Sequence, residues 1–187
     1  MERIHILGAS GSGTTTLGQV LATQLGCQHV DTDNYFWLPT KPPFQIKRDL
    51  QDRQQLLAED LGSAARWILS GSLCGWGDIF IPKFELVIYL WIPQALRMER
   101  LVKREIQRYG AADVKPGGKR YSDSNAFLEW AAGYDEGGLG MRSKALHEQW
   151  LAALPCKVLR LEGDLSVGER AAAILAYKNN IGRVFDV

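Results

Sequence analysis

Five short apolar segments, separated by longer segments of mixed polarity, set the pattern of the sequence. Most of them are apolar at consecutive positions, which is typical of strands that are covered on both faces. The segments between them are long enough for helices, so the alternation predicts an α/β fold with a parallel sheet and right-handed crossovers. The predicted strands are RIHILG at 3–8, QHVDT at 28–32, RWILSG at 66–71, ELVIYLWI at 85–92 and KVLRLEG at 157–163.

Helices are predicted between these strands, where apolar residues recur at intervals of three and four. The first follows the first strand and carries the apolar residues Leu17, Val20, Leu21 and Leu25. The predicted helices cover residues 15–25 and 48–61, a segment that begins after Pro93, residues 125–132, and a segment that is opened by Arg142.

The composition is that of an ordinary globular protein. Of the 187 residues, 46% are hydrophobic and 23% are charged, which predicts a single domain over 1–187 with a sizeable core. The formal net charge of +1 gives no global attraction for nucleic acid or for an anionic membrane surface, so any anion-binding site must be local. We therefore expect neither a membrane nor a nucleic acid as partner.

Cysteine and histidine spacing does not indicate a metal site or a disulfide framework. The sequence also contains no signal-peptide core and no run of 18 apolar residues, so we expect a cytoplasmic protein with reduced cysteines. The residues concerned are Cys27, Cys74 and Cys156, and His5, His29 and His147.

A glycine-rich loop, GASGSGTTT at 8–16, connects the first strand to the first helix. This placement directs backbone N–H groups and the positive end of the helix dipole toward one point, so it predicts a site for the phosphates of a nucleotide. The alternative is an ordinary tight turn between a strand and a helix. We assign nucleotide binding to Gly8, Ala9, Ser10, Gly11, Ser12, Gly13, Thr14, Thr15 and Thr16.

The loop departs from the usual phosphate-binding pattern at one position. That pattern is G-x-x-x-x-G-K-[ST], and Gly8, Gly13 and Thr15 match it, but Thr14 stands where the lysine belongs. Another cation must therefore supply the missing charge, or the chemistry is lost.

Two carboxylates, Asp31 and Asp33, come at the carboxyl end of the second strand, which is where open α/β sheets bind ligands. Alternate residues of an extended segment face the same side, so both could point into one site. One would hold a magnesium-bound water and the other would orient or deprotonate a substrate hydroxyl. The alternative is a pair of turn-forming aspartates.

The insert that follows, residues 34–62, combines aromatic residues, prolines and cations in an irregular segment before its helix. Such an insert could cover and bind a phosphate acceptor. Its aromatic residues Phe36, Trp37 and Phe44 either contact that acceptor or form a small core that holds the insert in place.

The helix after Pro93 has a row of arginines on one face, namely Arg97, Arg100, Arg104 and Arg108. Residues 97–120 contain eight Lys or Arg against three Asp or Glu, so this face is predicted to cover a polyanion rather than only to face solvent. The segment 109–141, called here the lid segment, has glycine clusters at both ends that are typical of hinges. It is either a mobile lid or a static excursion, and Arg142 at its end is a further candidate phosphate ligand.

In the order of these features the chain resembles the nucleoside monophosphate kinase group, which includes adenylate and shikimate kinases. The features are the GxxxxGxT loop, the DTD stretch at 31–33, the R-x-x-R-x-x-x-R helix, the lid segment and LEGD at 161–164. The resemblance implies a three-layer P-loop NTPase fold, with a five-stranded parallel sheet in the order 2-3-1-4-5 and a lid.

The resemblance also implies the roles of individual residues. ATP phosphates would lie on the glycine-rich loop, with Mg²⁺ held near Thr15 and by Asp31. Asp33 would act on the acceptor hydroxyl. Arg100 and the loop that contains Asp164 would border adenine from its two sides, and Arg104 would reach phosphate.

Two departures from that family affect the functional prediction. The third strand ends in SGS at 70–72 without an aspartate for the metal, which favours the small-molecule branch of the group. Thr14 replaces the loop lysine, although some bacterial phosphoribulokinases have a similar loop that ends G-T-[ST]-T. We expect Arg104, with Arg100 and Arg142 beside it, to replace the missing charge.

The predicted function is ATP- and Mg²⁺-dependent phosphoryl transfer to a nucleotide or a small hydroxylated metabolite, with Asp33, Arg104 and Arg142 as catalytic residues. The alternative is a nucleotide-binding module that has lost catalysis and switches conformation on a partner, which Thr14 favours. A third hypothesis, an enzyme that modifies the ends of nucleic acids, is supported only by the local basic segment.

Overall fold

A computed structural model describes residues 2–182 of the chain and contains all five predicted strands. Every neighbouring pair of strands is parallel, and the sheet has the order β2-β3-β1-β4-β5. The α/β fold with a five-stranded sheet ordered 2-3-1-4-5 is therefore confirmed. The strands are β1 (Arg3–Gly8), β2 (Gln28–Asp31), β3 (Trp67–Ser70), β4 (Leu86–Trp91) and β5 (Lys157–Glu162).

The helices include each of those predicted and four shorter or later elements that the pattern did not predict. The additional elements are α2, α5, the 3₁₀ helix and α8. In chain order the helices are α1 (Thr14–Leu25), α2 (Asp33–Phe36), α3 (Leu50–Gly62), a 3₁₀ helix (Asp78–Lys83), α4 (Gln94–Tyr109), α5 (Ala111–Val114), α6 (Tyr121–Ala132), α7 (Lys144–Ala152) and α8 (Val167–Gly182).

Helix α7 begins two residues after Arg142, because Ser143 is its N-cap and accepts a hydrogen bond from the Leu146 N–H at 3.0 Å. Arg142 is thereby left in the loop before the helix, where its side chain is not committed to the helix surface.

Both faces of the sheet are buried, which explains the consecutive apolar residues of its strands. On β1, Ile4 and Ile6 pack with α1 and α8, whereas Leu7 packs in the cluster on the opposite face. All three are fully buried, and each such side chain contributes about 1.5–3 kcal/mol to stability. Within residues 2–182, no helix combines the length and the apolar character needed to cross a membrane.

Candidate active site

A cleft of about 820 Å³ lies at the carboxyl edge of the sheet. It is bounded by the glycine-rich loop, the ends of β2 and β3, the insert, α4 and the lid segment. Its lining includes Asp31, Asp33, Arg100, Arg104, Arg142 and every residue of the loop except Ser12, which is fully buried. The structure thus brings together the residues that the sequence assigned to the site, apart from Ser12 and Asp164.

Close backbone packing holds the glycine-rich loop against the sheet. A Cβ on Gly8 would lie 2.5 Å from the Leu90 carbonyl oxygen, and one on Gly11 would lie 2.8 Å from the Arg97 carbonyl oxygen. Gly11 and Gly13 also have φ angles of 81° and 89°, which residues other than glycine rarely adopt. The glycines are therefore required by the path of the loop as well as by access of a ligand.

Thr15 and Asp31 form a pair beside the loop. The Thr15 hydroxyl donates to Asp31 Oδ2 at 2.7 Å, and the Asp33 N–H donates to Asp31 Oδ1 at 3.0 Å. A hydroxyl and a carboxylate oxygen in contact are ligands that suit Mg²⁺. Within the described part of the chain, no three His, Cys, Asp or Glu residues form a metal-binding cluster, so a cation here would take its other ligands from water or substrate.

The geometry of the DTD stretch differs from the extended segment that the sequence suggested. Thr32 has helical angles, and Asp33 is already the first residue of α2. The hydrogen bond from the Asp33 N–H to Asp31 is the turn contact of the alternative interpretation, yet both carboxylates still line the cleft. The turn and the functional arrangement are thus compatible.

Asp33 lies in a cationic environment without being closed off from solvent. Burial in the cleft raises the pKa of its carboxyl, and the neighbouring Asp31 charge raises it further. Arg142, Arg104 and Arg108 oppose that effect and lower the pKa. The charge of Asp33 is therefore coupled to three arginines that come from α4 and from the end of the lid segment.

Arg104 and Arg142 contact aromatic rings of α6. Arg104 lies 5.6 Å from the centre of the Phe127 ring, and Arg142 lies at the same distance from the Trp130 ring. The buried Nε of Arg104 has no hydrogen-bond partner, and burial, followed by the Arg108 charge, lowers the pKa of the Arg104 guanidinium. Among residues 2–182 neither arginine forms an ion pair, which leaves both available to an anion.

The four arginines of α4 do not share one environment, which corrects the prediction of a single anion-facing row. Arg97 is fully buried, is paired with Asp135 and donates to the Ile92 carbonyl at 3.0 Å. Arg100 is exposed and pairs with Asp164 at 3.1 Å, so the two residues predicted at adenine do meet. Arg108 lies over the Phe44 ring at 4.7 Å.

The aromatic residues of the insert pack on one another and also line the cleft. The Phe36 and Trp37 ring centres are 5.0 Å apart, and those of Trp37 and Phe44 are 6.1 Å apart. Arg53 lies 4.1 Å over the Phe36 ring. Both interpretations of these residues, a small core and a substrate wall, therefore have structural support.

A buried hydrogen-bond chain connects the end of β3 to the end of the lid segment. Ser72 Oγ is 3.1 Å from His147 Nε2, the Tyr134 hydroxyl is 2.8 Å from His147 Nδ1, and the Tyr89 hydroxyl is 2.9 Å from that of Tyr134. His147 is thus structural, and burial together with the Arg142 charge lowers its pKa to about 3.

Arg170 of α8 also contacts the loop, and the sequence pattern did not indicate it. Its guanidinium donates to the Ser12 carbonyl at 3.0 Å. The apolar residues at 171, 174 and 175 could have predicted the helix, but nothing in the pattern indicates that this arginine points back toward residue 12. Contacts between residues 158 positions apart require the sheet order to be known first.

Comparison with known proteins places the fold. The chain aligns with the structure of shikimate kinase from Acinetobacter baumannii in complex with shikimate at a TM-score of 0.55, with 15% identity, covering 96% of this chain and 94% of that one. The shikimate kinase from Bacteroides thetaiotaomicron gives the same TM-score and identity, covering 95% of this chain and 98% of that one. The protein thus has the P-loop kinase fold.

Sequence relatives are closer. No protein-family model matches the chain. A cytidylate kinase from Pyrococcus horikoshii is 32% identical over 115 residues, which are 54% of this chain and 57% of that protein. The uncharacterized protein YqaC of Bacillus subtilis is 52% identical over 176 residues, which are 94% of this chain and 97% of YqaC. The chain therefore belongs to the same protein family as YqaC.

Proposed function

We propose that the protein is an ATP- and Mg²⁺-dependent phosphotransferase whose acceptor is a nucleotide or a small hydroxylated metabolite. One observation carries the proposal. Asp33 shares a cleft with the glycine-rich loop, with the Thr15–Asp31 pair and with two arginines that form no ion pair among the described residues. Phosphoryl transfer requires a phosphate site, a site for a hard cation, a base and cationic side chains that are free to bind the transferred group.

The glycine-rich loop would bind the phosphates of ATP through its backbone N–H groups, aided by the N-terminal end of α1. Thr15 and Asp31 would hold Mg²⁺, since their oxygens already lie 2.7 Å apart at the cleft wall. When bound, the cation would neutralise phosphate charge. Arg100 and Asp164, which form an ion pair with each other, would border the nucleotide base.

Asp33 would act as the general base for the acceptor. Its pKa is raised above the ordinary aspartate value by burial in the cleft and by the Asp31 charge, which makes it a stronger proton acceptor than an ordinary aspartate. With a hydroxyl acceptor, the hydroxyl oxygen would form a bond to the γ-phosphorus as the bond to the leaving ADP breaks, and the hydroxyl proton would pass to Asp33. A nucleoside monophosphate would attack through an ionised phosphate oxygen, with no proton to transfer. Arg104 and Arg142 would stabilise the charge on the transferred group.

The insert at 34–62 and the lid segment at 109–141 would bind and cover the acceptor. Their aromatic and cationic side chains suit a ligand that has both a flat or apolar part and an anionic part. The local likeness to a cytidylate kinase makes nucleoside monophosphates the first acceptors to test. We expect this activity in the cytoplasm, where ATP is available.

A second candidate function is a nucleotide-binding module that has lost catalysis. The observation in its favour is Thr14, the first residue of α1, whose short uncharged side chain replaces the lysine of the usual loop. Such a module would bind nucleotide and change conformation on a partner without releasing ADP.

The test is ADP release from ATP and Mg²⁺ in the presence of nucleoside monophosphates, shikimate-like polyols and sugar acids. We expect turnover with one class, and a fall in kcat of about 100-fold in Asp33→Asn with ATP binding retained. Asp52→Asn, which removes an exposed carboxylate of α3 outside the cleft, is the matched control. Binding of ATP without turnover of any acceptor would favour the module, and wild-type turnover in Asp33→Asn would overturn the assigned base.

A further inference from the structure

Arg170 of α8 contacts the glycine-rich loop and does not line the cleft. It is 2% exposed, and its guanidinium connects two backbone segments: Nη1 donates to the Ser12 carbonyl at 3.0 Å and Nη2 donates to the Gly163 carbonyl at 3.3 Å. A Cβ built on Gly13 would lie 3.8 Å from the same Nη1. The positive charge is therefore held directly beneath the residues that end the loop.

Within the described residues no carboxylate forms an ion pair with this guanidinium. Asp164 is the acidic group that acts on it, but Asp164 is exposed and is already paired with Arg100 at 3.1 Å. The Nε of Arg170 is buried and has no hydrogen-bond partner in the part of the chain that the structure describes. Burial, followed by the Arg100 charge, lowers its pKa. A buried cation in this state is stabilised by any anion that binds nearby.

The contact with Ser12 also determines where the next N–H group points. The Ser12–Gly13 peptide bond is trans, and in a trans peptide the carbonyl and the N–H point in opposite directions. Because the Ser12 carbonyl faces Arg170, the Gly13 N–H points away from Arg170, and Gly13 lines the cleft whereas Ser12 and Arg170 do not. Among the described residues no backbone carbonyl accepts from that N–H.

We propose that Arg170 is a positioning residue for the phosphates of the nucleotide: it fixes and polarises the Ser12–Gly13 peptide so that the Gly13 N–H donates to a phosphate oxygen. Hydrogen bonding of the carbonyl to a cation strengthens the N–H of the same peptide as a donor. The charge of Arg170 thus reaches the phosphate through the peptide, in a loop that has Thr14 in place of lysine. This proposal rests on the proposed function.

The experiment uses inorganic tripolyphosphate with Mg²⁺ and measures its binding by calorimetry, so it does not depend on turnover. Arg170→Met should raise Kd by about tenfold to a hundredfold, the effect of a hydrogen bond that a charge strengthens. Arg170→Lys keeps the charge and one possible donor, and it should recover part of that loss. Arg160→Met is the matched control, because it removes the same charge from an exposed pair outside the cleft.

A second measurement covers the case in which Arg170→Met does not fold. In the wild-type protein the Gly13 amide proton resonance should move downfield when tripolyphosphate is added. Three results would overturn the role of Arg170. The first is unchanged affinity in Arg170→Met, and the second is equal weakening by the Met and Lys variants. The third is a Gly13 resonance that does not shift while neighbouring loop resonances move. If the wild-type protein binds no tripolyphosphate, both the proposed function and this role are wrong.

Discussion

His5 should make the protein less stable as the pH falls from 7.5 to 5. The ring is fully buried in the centre of the sheet, stacked 5.0 Å from Phe84, and Nδ1 lies 3.1 Å from the Leu69 carbonyl, to which it donates in the neutral ring. Its Nε2 has no hydrogen-bond partner among the described residues. Burial lowers the pKa of His5 to about 4, and the bond to Leu69 only partly opposes this effect.

The sign of the effect follows from the two pKa values. The folded protein holds His5 neutral, whereas the unfolded chain protonates it near the ordinary value of 6.5. The stabilisation is therefore complete above pH 6.5 and is lost as the pH falls toward 4. At 1.36 kcal/mol for each pH unit the full loss is about 3 kcal/mol, of which about 2 kcal/mol is lost by pH 5. His147 should contribute a loss of similar size at pH 5, since its pKa is lowered to about 3.

The assay is urea denaturation at pH 7.5 and at pH 5.0, followed by tryptophan fluorescence, for the wild-type protein and for His5→Gln. The variant loses packing at both pH values, so the quantity of interest is the difference in unfolding free energy between them. That difference should be about 2 kcal/mol smaller in His5→Gln than in the wild type. If His5→Gln retained the whole pH dependence of the wild-type protein, the buried neutral histidine would not be its source.

Two further predictions concern the cleft. ATP with Mg²⁺ should raise the melting temperature, because a ligand that binds only the folded state stabilises it. Asp31→Asn should remove much of the magnesium-dependent part of that rise. No rise at millimolar ATP in the wild-type protein would count against nucleotide binding. Arg104→Ala should lower kcat by about 1,000-fold, by comparison with arginines that stabilise phosphoryl transfer. Steady-state assays should show that Thr14→Lys restores part of this loss. A near-wild-type rate in Arg104→Ala would show that Arg104 does not replace the lysine.

The central strands β1, β3 and β4 were predicted well because they are buried almost throughout and are therefore mostly apolar, whereas the edge strands β2 and β5 are partly exposed and also contain polar residues. The sequence also placed the loop, Asp31 and Asp33 at one edge of the sheet, since that follows from strand order along the chain. The short helix α2 was missed because a four-residue helix shows no periodicity, and its start depends on the turn at Asp31. The local pattern of apolar and polar residues cannot predict such contacts.

The arginines of α4 show the same limit. Helical spacing correctly puts Arg97, Arg100 and Arg104 on one side of the helix, but it cannot tell which of them meets a carboxylate from elsewhere in the chain. Asp135 pairs with Arg97 and takes it out of the cleft, whereas Arg104 has no ion pair among the described residues. Arg170 was missed because its partner in the loop, the Ser12 carbonyl, is 158 positions away in the sequence.

The contacts at the end of the lid segment determine how that segment could close. Tyr134 is bound through its hydroxyl to Tyr89 and His147, and Asp135 accepts from Trp91 Nε1 at 2.9 Å and from Arg97. A side chain on Gly137 would meet the Gly133 carbonyl at 2.8 Å, so this glycine serves close packing. The C-terminal end of the lid segment is therefore bound to the sheet and to α4. A closing movement of the lid segment would be taken up before Tyr134, and Tyr134 and Asp135 would stay in place as the cleft changes shape.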